Sequence, residues 1–262
     1  MASVVALQST ARNGNVVVRS FEPMLAEVAR RAPACSACSL QTHCLPAGVE
    51  EMLGEFDRLQ STPVRIHKGD TLYRAGDRFD AIYAVRSGSC KTIILSEEGH
   101  EQVTGYQMPG EIVGFDGIDS GFHGTQVIAL EDSELCALRF KEIERLAHQS
   151  LAFQHNMYRL LSREVARDRR IMLLLGGLRA EQRLAAFLLD LARRYQALGY
   201  SSCEFILRMT REEIGSFLGL KLETVSRLFS RFHHDGLIQV QGRVVKLLDR
   251  NGLQRLVGST PQ

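Results

Sequence analysis

The chain has 262 residues, enough for two ordinary domains or one large one, and 45% of them are apolar, so it can bury a core and is not a disordered protein. Its formal net charge is +2, so affinity for nucleic acid must come from local basic patches and not from global charge. No apolar run approaches the roughly 20 residues of a membrane span, and the first residues lack a sustained apolar stretch and a clean cleavage site, so the expectation is a cytoplasmic protein with no membrane partner.

Residues 1–34 read as a flexible N-terminal arm, with one short helix around Met24–Arg31. Three cysteines then crowd one segment, CSACSLQTHC, as Cys35, Cys38 and Cys44 in the spacing C-x2-C-x5-C. Six cysteines without an export signal argue against a disulfide framework. Thiols this close on a loop suit a metal centre, with a thiol switch or an inert buried set as the alternatives. Pro46 and Gly48 end the loop, and Glu50–Leu59 has a short helical pattern. From Val64 to Phe140, short apolar stretches (Ile82–Val85, Thr92–Leu95, Gln126–Leu130, Leu135–Leu138) alternate with Gly-containing turns, which predicts an antiparallel β-barrel or sandwich.

Phe153–Leu175 contains no Gly or Pro and should form one long helix, with Gly176-Gly177 as its C-cap. Within it Tyr158, Leu161, Val165, Asp168, Met172 and Leu175 follow 3-4-3-4-3 spacing. That is the a/d stripe of a two-stranded coiled coil, and so of a homodimer; the alternative is a helix packed on its own domain. In a parallel pair Asp168 would face its own copy, with Arg167, Arg169 and Arg170 beside it to offset the repulsion. Ala180–Ala197 is a second amphipathic helix, stopped by Gly199.

Residues 210–232 predict two helices around Gly219, and Leu237–Leu248 a hairpin turning at Gln241-Gly242. Thr210 and Glu213 form a capping box, and Ile214, Phe217 and Leu218 an apolar face. The second helix turns Val225, Leu228, Phe229 and Phe232 to a core and Glu223, Ser226, Arg227 and Arg231 outward, as a DNA recognition helix does. Arg227 suits guanine, Glu223 cytosine N4, and Ser226 either base edge or methyl. Arg211, Arg231, His233 and Arg243 are placed for phosphates. The plain alternative is a solvated helix laced by a Glu223–Arg227 pair. No nucleotide-binding Gly motif, Ser/His/Asp set or hydrolase-type His spacing stands out, so no enzyme is expected.

Six motifs carry a family resemblance: CSACSLQTHCLP, KGDTLYRAGD, YAVRSGSCKT, GHEQVTGYQMPGEIVGFDGI, RLAAFLLDLARRY and GLKLETVSRLFSRF. From about Cys35 to about Leu256 the chain resembles the CRP/FNR superfamily of bacterial transcription factors, specifically its FNR/Anr branch. The resemblance implies an α+β fold: an N-terminal cyclic-nucleotide-binding-like β-roll, a long dimerisation helix and a C-terminal winged helix-turn-helix. The boundaries follow as the arm at 1–34, the iron–sulfur cysteine loop at 35–48, the β-roll at 49–150, the dimerisation helix at 151–178 and the winged domain at 179–262. It also implies an oxygen-labile [4Fe–4S] cluster on four cysteines, three matching Cys35, Cys38 and Cys44 and the fourth matching Cys136 in SELCALRF. From the residues alone, Cys136, Cys90 and Cys203 are equivalent choices for that fourth ligand; the resemblance leaves Cys90 and Cys203 as ordinary half-buried residues.

The implied function is oxygen-responsive control of anaerobic genes by a homodimer on double-stranded palindromic DNA with TTGAT-type half-sites, since Leu222 and Glu223-x-x-Ser226-Arg227 match this branch. RNA polymerase is the further implied partner, through a loop like GFDGIDSG with Asp116 and Asp119. Cyclic-nucleotide sensors of the superfamily carry an Arg that has no counterpart between Gly110 and Leu130, so no cyclic nucleotide is expected. His43, next to Cys44, is a candidate for tuning the cluster. The remaining reading is a zinc- or thiol-redox-dependent regulator of the same fold.

Overall fold

The structure is a computed structural model and describes residues 34–59, 62–96 and 99–258. The arm expected at 1–34, with its helix near Met24–Arg31, falls outside these residues except for Ala34. The cysteine loop opens with a single 3-10 turn, Cys35–Ala37, and leads through a second, Glu50–Met52, into α1, Leu53–Arg58.

Eight strands follow in two antiparallel four-stranded sheets. One has the order β1-β8-β3-β6, with β1 at Thr62–Ile66, β8 at Ser133–Arg139, β3 at Ala81–Ser87 and β6 at Ile112–Val113. The other is β2-β7-β4-β5, with β2 at Thr71–Tyr73, β7 at Gln126–Ala129, β4 at Cys90–Leu95 and β5 at Glu101–Gln107. Alternation along β8 buries Leu135 and Ala137 in the roll and turns Glu134 and Cys136 to the other face.

Two helices leave the roll: α2, Phe140–Gln149, and α3, Leu151–Gly177. The first was not foreseen as a separate helix. Ser150 separates them in extended backbone, and its side chain caps α3 by accepting from the Phe153 N–H. Gly176 and Gly177 are not the expected C-cap. The helix runs through both, neither has a positive φ, and Leu178 ends it in extended backbone. The reason is the next helix, α4, Ala180–Ala197, which starts two residues later. A link that short needs extended backbone, not a left-handed cap.

The C-terminal part matches the sequence reading closely. Helix α5 spans Arg211–Leu218, with the Thr210–Glu213 capping box in place. Gly219 caps it at φ 61°, which opens the turn into α6, Leu222–His234. The hairpin is β10, Ile238–Gln241, and β11, Val244–Leu247. Two elements went unforeseen: a third wing strand, β9, Glu204–Ile206, which pairs with β11, and a closing helix, α7, Arg250–Val257.

Two cores organise the molecule. One joins the cysteine loop, α1, β3, α2 and the start of α3 around Leu45, Val49, Phe56, Ile82, Leu146 and Phe153. The other runs from the roll into the C-terminal part, with Ile93, Val103, Tyr106 and Met108 packed in one cluster with Leu188, Ile214 and Phe229. The seam it crosses is also bonded. Edge strand β5 is covered by α5: the Val103 N–H donates to Ser216 Oγ at 2.8 Å, and Gln102 Nε2 donates to the Ser216 carbonyl. Lys91 of β4 pairs with Glu213 at 2.8 Å, and Arg194 of α4 with Glu111 at 2.5 Å. Among the described residues no helix is long and apolar enough to cross a membrane.

Candidate metal centre and nucleic-acid interface

Cys35, Cys38, Cys44 and Cys136 line one small pocket of about 30 Å³, together with Gln41, Arg86, Phe56 and other, mostly apolar, side chains. Of the two remaining thiols, Cys90 is fully buried in β4 and Cys203 is exposed, so neither is half-buried as expected and neither lines this pocket. The loop reaches β8 because Leu45, directly after Cys44, is drawn into the first core with only 1% of its surface exposed. Gly110, at φ 88°, lets the loop lie close; a Cβ there would sit 3.0 Å from that of His43.

Burial pushes Cys35, Cys44 and Cys136 away from ionisation. Cys35 is raised to about 11, by desolvation and then by Cys136, and Cys44 to about 12, chiefly by desolvation. Cys136 rises to about 11 by desolvation, although the Arg86 guanidinium works against it. Such thiols stay neutral at ordinary pH unless a cation displaces their protons. Among the described residues no three His, Cys, Asp or Glu side chains close on a single point as they would around one ion. The shared wall is therefore a pocket of four soft donors, not a finished coordination sphere. The donor chemistry fits an iron–sulfur cluster, whose usual demand is four thiolates. Gln41, one of the lining residues, has a buried side-chain oxygen, Oε1, without a partner among the described residues. His43, singled out from sequence, has an exposed ring and bonds its neighbour Thr42, outside the pocket lining.

The loop is wired to α3. Asn156, 3% exposed, donates through Nδ2 to the Leu45 carbonyl at 2.6 Å. One turn earlier Phe153 meets Phe56 edge-on, with centroids 5.3 Å apart. Further along α3, Tyr158, Val165, Asp168 and Met172 are exposed, while Leu161 and Leu175 are half-buried. Leu151, missed from sequence, extends the series, so exposed apolar residues recur every seven positions at Leu151, Tyr158, Val165 and Met172. Arg167 does not serve Asp168 as expected. It donates to the Tyr106 carbonyl and pairs with Glu111 and Glu164 at 3.7 and 3.8 Å.

Between α3 and the roll lies a cavity of about 550 Å³. Asp116, Glu164 and Asp168 line it, and among the described residues Arg167 is the one basic residue in its lining. In the GFDGIDSG loop, Asp116 accepts from the Gly124 and Thr125 N–H groups and the Thr125 hydroxyl, and its carboxylate lies 3.3 Å from the His123 ring. It therefore closes the loop, whereas Asp119 is exposed and has no ion pair among the described residues.

On α6, Val225, Leu228, Phe229 and Phe232 are buried. Glu223, Ser226 and Arg227 share the exposed face, and Glu223 and Arg227 form no ion pair among the described residues. The solvated-pair alternative thus lacks its pair. Arg211 stacks its guanidinium 3.4 Å from the Phe229 ring centroid, and burial lowers its affinity for a proton. Arg231 is held by Glu181 at 2.5 Å and Asp235 at 3.6 Å. His233 accepts from the Val240 N–H of the wing, and Arg243 donates to the Arg208 carbonyl. Among the described residues, the side chains of Glu223, Ser226 and Arg227, expected to read bases, have no hydrogen-bond or ion-pair partner, whereas Arg211, Arg231, His233 and Arg243, expected at phosphates, are tied to the scaffold.

Comparison with known proteins accords with this layout. Residues 63–150 match the cyclic nucleotide-binding domain and residues 182–256 the Crp-like helix-turn-helix domain. The chain is 50% identical over 225 residues to the transcriptional regulatory protein btr of Bordetella pertussis, covering 86% of this chain and 93% of that one. It is 40% identical over 227 residues to the fumarate and nitrate reduction regulatory protein of Escherichia coli K12, covering 86% and 91%. The solved structure of FixK2 from Bradyrhizobium japonicum aligns with a TM-score of 0.71 at 28% identity, covering 77% of this chain and 99% of that one. With a roll, a long helix and a winged helix-turn-helix in that order, and relatives this similar over most of its length, the chain belongs to the CRP/FNR superfamily, in its FNR/Anr branch, and is a DNA-binding transcription regulator and not an enzyme.

Proposed function

We propose that this regulator responds to oxygen through a [4Fe–4S] cluster held by Cys35, Cys38, Cys44 and Cys136, and binds palindromic DNA with TTGAT-type half-sites as a homodimer while that cluster is intact. The observation that carries this is the convergence of four cysteines on one pocket whose loop is bonded to α3 through Asn156 and Leu45. When bound, the cluster supplies the oxygen-sensitive chemistry; the rest follows from the chain's own residues. Cys35, Cys44 and Cys136, raised in pKa by burial, lack the thiolate character of a redox switch, which weighs against the thiol-redox alternative.

Ligation ties the loop to β8 and fixes Leu45 against Asn156. That steadies the start of α3, whose stripe from Tyr158 to Leu175 meets a second copy. Two Asp168 carboxylates about 4–6 Å apart would repel by roughly 1–4 kcal/mol, which keeps the pair near its balance point. With Arg167 committed elsewhere, only Arg169 and Arg170 remain to offset this. Loss of the tie then favours monomers, and each monomer forfeits half the contacts of a site whose half-site centres lie about 34 Å apart. Glu223, Ser226 and Arg227 read the bases. The acid-rich cavity lining weighs against a cyclic nucleotide phosphate, and the loop around Asp119 is the proposed contact for RNA polymerase. Anaerobic quantification of iron and sulfide, with binding to a TTGAT palindrome before and after air, tests the reading. Iron-free preparations that bind undiminished would overturn it, and zinc in place of iron would redirect it.

A further inference from the structure

We propose that Gln41 donates a hydrogen bond to a sulfur of the cluster and so slows its loss in air; this rests on the iron–sulfur reading above. Gln41 lies in the loop between Cys38 and Cys44 and lines the pocket together with all four cysteines. Its Oε1 is buried and has no partner among the described residues. The other such atom is the Tyr106 hydroxyl, which belongs to the second core, beside Phe187 and Phe217. A buried carboxamide oxygen without a partner lowers stability, and an apolar side chain of the same length would fill the space without that cost. The cluster-free fold thus leaves one buried acceptor of this side chain unpaired.

A half-turn about the last side-chain torsion exchanges the oxygen for the amide nitrogen, which brings two N–H donors. Thiolate and sulfide sulfurs are electron-rich acceptors, and hydrogen bonds to them raise the reduction potential of such a centre. Removal of an electron by dioxygen then becomes less favourable. His43, the other candidate of this loop, bonds Thr42 and is not among the residues that line the pocket, whereas Gln41 is.

The test uses the full chain and the variants Gln41→Leu and Gln41→Met, loaded anaerobically beside the wild type. Two readings are taken: the bleaching rate of the visible absorbance in air, and the melting temperature of the cluster-free chain. The loaded variants should bleach roughly two- to tenfold faster, the span of one net hydrogen bond. Their cluster-free forms should melt about 2–4 °C higher, because the orphaned amide is gone. A variant that fails to load but melts higher when cluster-free also supports the assignment. Bleaching at the wild-type rate, or a lower cluster-free melting temperature, overturns it. A wild type without iron would instead remove the cluster reading itself, which separates the two failures.

Discussion

The Lys91–Glu213 pair should behave as a coupled unit across the seam between roll and helix-turn-helix. The two groups lie 2.8 Å apart, with side chains 12% and 20% exposed. A charge-assisted hydrogen bond nets about 1.5–3 kcal/mol, whereas breaking a fully buried pair costs about 3–5 kcal/mol. Residual exposure lets water reach the survivor, so the lower range applies and Lys91→Met should cost about 2 kcal/mol. At roughly 2–4 °C per kcal/mol for a chain of this size, the melting temperature should fall by about 4–8 °C. Glu213 also caps α5, so truncating it would mix two effects. Glu213→Gln separates them, because Gln serves equally at that capping-box position. The chain has no Trp, so far-UV circular dichroism and calorimetry are the suitable probes. The double-mutant cycle of Lys91→Met and Glu213→Gln should return a coupling of about 1–2 kcal/mol. A coupling below about 0.3 kcal/mol, the scatter of independent sites, would refute the reasoning.

Asp168→Ala should give a dimer that persists in air, and sedimentation showing it still monomeric without its cluster would end the repulsion argument. Arg227→Ala should cost about 1–3 kcal/mol on a TTGAT site and relax preference at the guanine, read by titrating single-base variants. Asn156→Leu orphans the buried Leu45 carbonyl and should lower stability by about 1–3 kcal/mol in urea unfolding, with no change if the bond is idle. Desolvation opposes ionisation of Glu213, but bonds from Lys91 and the Thr210 N–H outweigh it and hold its carboxyl below the ordinary 4.5. Its contribution is thus complete above that pH and lost as acid carries the carboxyl through its depressed value; Glu213→Gln should flatten that limb of the stability curve.

The C-terminal half was legible because its signals are local. Thr210, Glu213 and Gly219 each act within one turn of chain, and the boundaries of α4 were read to the residue. The roll was legible as a class but not strand by strand. β6 has two residues and β2 three, too short for a period, and β5 hides its pattern behind contacts with α5. Gly176-Gly177 misled because glycine tolerates a left-handed cap without requiring one, and Ala180 left no room for it. In the pocket, the spacing of Cys35, Cys38 and Cys44 announced a site, but nothing local marked Cys136, which a strand far along the chain supplies. Gln41, Asn156 and Arg86 could not be found from sequence at all. Their importance lies in what they face across the fold.

The covering of β5 by α5 has a consequence for synthesis. Strand β5 leaves the ribosome roughly a hundred residues before Ser216 does, on the order of 5–20 s at usual elongation rates. Until then an unpaired backbone edge and the apolar side chains of Val103 and Tyr106 await the segment that covers them. Ribosomal pausing before the helix-turn-helix would therefore lengthen the interval in which the nascent roll is most prone to aggregate.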